Sequence, residues 1–348
     1  MIFINHVPGN VFSILTLRNY AISDAAELFV FLAGCSMAYF VGAPGRRKPA
    51  LHIVARLLKR AFEIWRAQIV VISAAIALLG GFALALNDPL LLEWHNAGPA
   101  YFDTVRSSIG LVFLTYQIGY FNILPLYVVL LLMSPVLVLL CLRNRALAIA
   151  VSLGLYAVTL AMQITLPSWP VEGAWHFNPL SWQVLILLGF LCTDLARSDP
   201  NFQSLVARLW TPAAVAVALG AIIVWLDVRP DPMAVPEPRL FFLFDKAYLS
   251  PVRVLNMLAL AIVFFPIFAF ISSRADRVTT GVVQYMSCLG RNSLAVFSVS
   301  SLLALASQIA RYVGGSSIAL DLLVLVAGLV LMRVTAWTVE FPASVQQR

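Results

Sequence analysis

A chain of 348 residues that is 61% hydrophobic and 11% charged, with a mean hydropathy of +0.91, does not have the surface of a soluble protein, which keeps about 25% charged residues. Apolar stretches of roughly 20 residues recur along its whole length, which excludes a single membrane anchor. A β-barrel is excluded as well, because it would show alternating segments of about ten residues.

In chain order, MIFINHVPGN reads as the last turn of an apolar helix, closed by Pro8-Gly9 and carrying His6. Further helices are predicted over 24–42, 67–86, 107–141, 146–166, 181–196, 210–227, 252–272, 292–310 and 317–338. The 107–141 stretch is too long for one span. Its first part, IGLVFLTYQIGYF, is expected to be re-entrant or interfacial, ahead of a span near 122–141. The fold class expected is an all-α, polytopic transmembrane helical bundle of about ten spans, the first of them truncated. The whole of 1–348 forms one integral-membrane domain in this reading, without internal repeats or a disordered linker.

The net charge of +7 is unevenly placed. Arg46, Arg47, Lys48, Arg56, Lys59, Arg60 and Arg66 fall in one connection, and Arg143, Arg145, Arg197, Arg208, Arg274, Arg277 and Arg291 in others on the same side. The opposite connections hold Arg18, Arg106, Arg229, Arg239, Lys246 and Arg311. The positive-inside rule makes the first side cytoplasmic, with the C-terminus there and the His6 end outside. Basic residues so placed report topology and membrane lipid contact, and give no sign of nucleic acid. Cys35, Cys141, Cys192 and Cys288 are isolated, without metal-ligand spacing, and read as packing residues. The start lacks the basic region and small-residue cleavage site of a signal peptide.

An ionisable residue at membrane depth marks a functional site by default, and His6 is followed by RNYAISDAAELFVFLAG. Asp24 and Glu27, three apart, share a helix face. Two readings stand for them. One is a capping box at the start of an apolar helix. The other is a catalytic group in which His6 is the general base and Asp24 or Glu27 fixes its tautomer. Arg18, with Asn19 beside it, would hold an anionic group of the substrate or one of the carboxylates. Residues 87–106, rich in proline and aromatic residues and carrying Trp94, are expected to form a long outer loop. In the outer segment 167–180, Trp175 and Asn178 are either interface anchors or part of a platform for sugar rings. On the basic side, Arg56, Lys59 and Arg60 form either an amphipathic segment on anionic lipid or a cradle for a phosphate-rich donor. Gln117, Asn122, Gln163, Gln183, Asn256, Gln308 and Asp321 are expected to bond between helices.

The stretches NHVPGN, TLRNYAISDAAELFVFLAG, YFNILPLYVVLLLMSP, FNPLSWQVLILLGF, LSPVRVLNMLALA and LGRNSLAVF resemble, in order, the OpgC family. That family is linked to succinylation of osmoregulated periplasmic glucans, within the wider acyltransferase-3 group of membrane acyltransferases. The resemblance implies an acyltransferase of the bacterial inner membrane. It would move an acyl group, succinyl by family, from a coenzyme A thioester to a hydroxyl of periplasmic glucan, with no tightly bound cofactor and no metal. His6 falls on the wider group's catalytic histidine. The arginine that precedes that histidine in the group's first span would lie upstream of Met1, so a truncated first span is expected. The group's arginine pair near the third span has only an approximate echo in Arg56-Leu57-Leu58-Lys59. Two other functions compete: a transporter or flippase for a glycan or lipid-linked intermediate, which calls for two-half symmetry that the sequence lacks, and an inactive truncated paralogue.

Overall fold

The computed structural model describes residues 2–226, 244–273 and 277–345, and all regular structure among them is helical. The helices are α1 (Ile2–Asn5), α2 (Ala25–Val41), α3 (Ala50–Leu86), α4 (Gly98–Phe102), α5 (Thr104–Val112), α6 (Ile123–Arg143), α7 (Arg145–Met162), α8 (Pro179–Ser198), α9 (Phe202–Trp225), α10 (Pro251–Ser273), α11 (Arg277–Arg291), α12 (Ser293–Gly314) and α13 (Ile318–Val345). Seven of the described helices are long and apolar enough to cross a membrane, and α2 and α10 are shorter apolar helices. The chain is therefore a multi-pass membrane protein. Helices α9 and α13 bury little of themselves and expose Leu219, Ile222, Trp225, Leu323 and Val330, an apolar exterior suited to hydrocarbon.

Helix α8 is the inner post. Trp182 and Phe190 are fully buried on it, and Gln183 is tied to Ser152 of α7 by two bonds of 2.7 and 2.9 Å. Helix α2 lies against it at backbone distance. A methyl group at Gly34 would collide with the Ile186 carbonyl, and one at Gly189 with the Phe31 carbonyl. Small residues allow this approach, and dispersion between the two backbones replaces the hydrophobic drive that lipid cannot supply.

Two expectations change. The basic 46–66 stretch is not a loop, because α3 runs unbroken from residue 50 to 86. At 1.5 Å per residue it is about 55 Å long, well beyond a hydrocarbon core of about 30 Å. Its first half buries Ile53, Leu57, Ala61 and Ile64 in the cluster shared with α6 and α8. Its second half buries Val71, Ile72, Ala75 and Leu79 against residues 97–121 and α12. The outer loop expected over 87–106 is likewise largely helical, comprising a 3-10 segment (Pro89–Asn96), α4 and the start of α5.

Residues 107–121 do not run on into α6 as one helix. Helix α5 stops at Val112, and Leu114 and Tyr120 adopt left-handed backbone conformations. Trp65 donates to the Val112 carbonyl at 2.8 Å and Gln68 to that of Phe121 at 3.3 Å, so this segment reaches the middle of α3 before α6 begins. Arg47 and Arg145 both bind Asp194, at 3.1 and 2.7 Å. That brings the end of α2, the start of α7 and the end of α8 to one end of the bundle. His6, Asp24 and Asn178 lie at the other end. Arg229, Arg239 and Arg274 lie outside the described residues.

Candidate functional site

His6 follows the single turn of α1, and Gly9, at φ +73°, reverses the chain just beyond it. Arg311 at the end of α12 holds this turn. It donates to the Gly9 carbonyl and to Ser316 Oγ, both at 2.9 Å, and pairs closely with Asp321 of α13. Asp321 in turn accepts the Val11 amide at 2.9 Å. A buried ion pair is tolerable when its remaining valences are filled in this way.

Gln308 of α12 donates to the His6 carbonyl, and its Oε1 lies 2.6 Å from Nε2 of His95. Because the amide nitrogen of Gln308 is a donor in this bridge, its oxygen is the acceptor, and His95 carries its proton on Nε2. Burial lowers the pKa of His95, with the Gln308 bond opposing more weakly; the imidazole stays neutral and keeps a lone pair on Nδ1. The Tyr120 ring contacts both histidines, with centroids 4.7 Å from each. His95 and Asn96 are both left-handed, at φ +59° and +64°, a costly conformation for non-glycine residues that gathers at functional sites. The Gly119 amide fixes the turn by donating to the His95 carbonyl at 2.7 Å. Nδ1 of His6 is buried without a hydrogen-bond partner among the described residues, as are Oδ1 of Asn5, Oε1 of Gln68 and Oδ1 of Asn122. A groove of about 450 Å³ opens beside this cluster, between Pro8, Trp94, His95, Gln308, Tyr312 and Ser316, with Arg311 in its wall.

The carboxylates expected to orient His6 do other work. Asp24 is the N-cap of α2 and Glu27 completes a capping box, with the Asp24 amide donating to Glu27 at 3.0 Å and Asp24 Oδ1 accepting from Ala26 at 2.8 Å. Glu27 is 0% exposed and its other oxygen receives Nε of Arg253 at 2.5 Å. Lys246 reaches Asp24 Oδ2 at 2.5 Å. Burial alone would raise the pKa of Asp24. The Lys246 ammonium, the Glu27 bond and Arg253 outweigh it and hold the carboxyl well below the usual range. Two negative charges thus meet two positive ones, and neither carboxylate hydrogen-bonds to His6.

Sequence reasoning missed Lys246 and Arg253 as partners. The signal was present in LSPVRV, where an arginine in the first turn of an apolar helix requires a buried acid. Ser23 reinforces the junction, donating its hydroxyl to the Arg253 carbonyl at 2.7 Å and its amide to Asn256 at 3.0 Å.

Of the remaining expected residues, Arg18 lies within electrostatic reach of His6, and none forms a hydrogen bond to its ring among the described residues. Arg18 is exposed and has no hydrogen-bond or ion-pair partner among the described residues, while Asn19 donates to the Ser13 carbonyl at 2.7 Å. Trp175 is only 5% exposed and its indole donates to Pro167, so it offers no face to a sugar. Asn178 caps α8 and donates to the Ile164 carbonyl at 2.6 Å. The aromatic residues that do border an opening are Trp94 and Tyr312. At the opposite end of α3, Arg56 and Lys59 are exposed and Arg60 pairs with Glu63 at 2.9 Å on its own helix. Lys48 and Arg56 flank the Phe40 ring at 3.8 and 6.0 Å.

A family model described as OpgC protein matches residues 1–342. No curated protein matches the chain, and neither does any solved structure.

Proposed function

The chain belongs to the OpgC family, and from that premise we propose that it is an inner-membrane O-acyltransferase that succinylates periplasmic glucan. The donor is an acyl-coenzyme A, succinyl-coenzyme A by family, and the acceptor is a sugar hydroxyl. His6 is the general base. Its ring takes the proton of the hydroxyl as the oxygen attacks the thioester carbonyl. The carbon–sulfur bond then breaks, and the leaving thiolate recovers the proton from the imidazolium. Direct transfer of this kind needs no enzyme nucleophile, and positioned proton transfer contributes about 10²–10⁴-fold.

The observation that carries the reading is the buried Nδ1 of His6, without a hydrogen-bond partner among the described residues, on a residue whose carbonyl is bonded by Gln308, itself part of the wall of an open groove. Asp24 and Glu27 act at a distance in this scheme. They set the start of α2 and balance Lys246 and Arg253, and they do not form a dyad with the base. Arg18, without a hydrogen-bond or ion-pair partner among the described residues, receives the anionic end of the acyl group. Arg56 and Lys59, with Arg60, receive the phosphates of the donor from the cytoplasmic side, and the C-terminus lies on that side.

Replacing His6 by alanine and examining periplasmic glucan by mass spectrometry tests the proposal. The expected result is loss of acyl decoration at normal protein level. Unchanged decoration would exclude His6 as the base, and glucan missing from the periplasm altogether would point to transport.

A further inference from the structure

We propose that the groove between Trp94 and Tyr312 is the acceptor subsite, which holds a β-glucan oligosaccharide by its ring faces; this rests on the acyltransferase reading above. The two aromatic rings meet at 81° with centroids 5.3 Å apart, so they form a corner of two nearly perpendicular walls. Tyr312 is anchored by its hydroxyl, which donates to Asp88 at 2.5 Å. Trp94 is set by the left-handed pair His95 and Asn96 that follows it. The corner is therefore in place before a ligand arrives, and little ordering cost remains for binding.

The chemistry of the walls selects the class of ligand. A pyranose ring has an apolar C–H face and a hydroxyl edge, and it needs an aromatic surface bordered by hydrogen-bonding groups. The groove supplies both. Nδ1 of neutral His95 is an acceptor, and Ser316 adds a hydroxyl at the rim. Its cation is already committed, because Arg311 is neutralised by Asp321 and bonded to Gly9 and Ser316. A groove whose described lining holds no free positive charge suits a neutral polyol better than a phosphate or carboxylate. Its volume of about 450 Å³ lies within the ~300–1,000 Å³ of small-ligand sites. Pro8, two residues beyond His6, and Gln308, bonded to the His6 carbonyl, form the side nearest the base.

The test is direct binding of a short β-linked glucose oligosaccharide to the detergent-solubilised full chain, followed by calorimetry, together with the acceptor KM in an acyl-transfer assay. Trp94→Ala is expected to weaken binding by about tenfold, equivalent to ~1.4 kcal/mol, and Trp94→Phe by less. Ser316→Trp fills the rim without touching the core, and is expected to abolish binding even where Trp94→Ala lowers protein yield. No binding by the unaltered protein would overturn the subsite, and so would binding or acceptor KM indifferent to both Trp94→Ala and Ser316→Trp. Trp94-dependent binding without acyl transfer would keep the subsite and reject the acyltransferase reading.

Discussion

Two polar clusters sit at the same end of the bundle, and they are built on opposite principles. Around Asp24 and Glu27 the hydrogen-bonding is closed: two carboxylates, Lys246, Arg253 and the first amides of α2 satisfy one another. Around His6 it is open: the backbone is held by Gln308, yet the ring nitrogen Nδ1 is buried without a partner among the described residues and an aromatic-walled groove lies nearby. Charge density alone would have chosen the first cluster as the reactive one. Satisfaction of valences points the other way, since a fully paired network has no capacity left for a substrate, whereas an orphaned buried group in a native structure calls for an explanation. The difference is the ground for proposing the histidine, and not the acids, as the reactive group.

The comparison is broken most forcefully at Arg253. Its replacement by leucine leaves Glu27 buried without its cation, and removal of one partner of a buried pair costs about 3–5 kcal/mol. Thermal unfolding in detergent is expected to fall accordingly, with substantial recovery when Glu27→Gln is added. A variant that folds normally but loses transfer would reverse the assignment and make the pair reactive.

Gln308 gives an intermediate effect on the open cluster. Gln308→Leu removes one bond to the His6 carbonyl and one to His95, leaving polar groups unpaired at about 1–3 kcal/mol each. Because it acts through His6, kcat is expected to drop more than thermal stability, and Gln308→Glu to shift the pH profile by adding a charge beside His95. Equal losses of stability and rate would reduce Gln308 to a packing residue.

The smallest effect concerns pH. Burial lowers the folded-state pKa of His95, so the unfolded chain binds its proton more readily. The stability from neutral His95 is then complete above the unfolded value of about 6.5 and is lost as pH falls toward and through the lower folded value. Replacing His95 with glutamine is expected to flatten the acid-side decline in melting temperature. An unchanged slope would show that His95 does not contribute to it.

Much of the helical layout was legible in the sequence because apolar length is a strong signal: the helices predicted at 181–196 and 292–310 became α8 and α12 with modest shifts of boundary. The basic half of α3 was not, because charged residues at helical spacing look alike whether they lie on a lipid surface or continue a span. The capping box was readable from Asp24 and Glu27 three residues apart, a local pattern. Their cations were not, because Lys246 and Arg253 reach them across more than two hundred residues. Trp175 and Trp94 show the same limit. Both are outer-loop tryptophans by sequence, and only packing reveals that one is core and the other lines a groove.

The bonds that hold the first turn come from the far end of the chain. Gln308 reaches His6 across 302 residues, and Asp321 reaches Val11 across 310. Contacts of such separation carry the loop-closure entropy of the whole intervening chain. The backbone at His6 and Val11 therefore gains these bonds only when α12 and α13 have entered the bundle. A chain without those two helices would lack the bonds that fix the His6 turn, so in the proposed scheme the base is positioned by the last helices to pack.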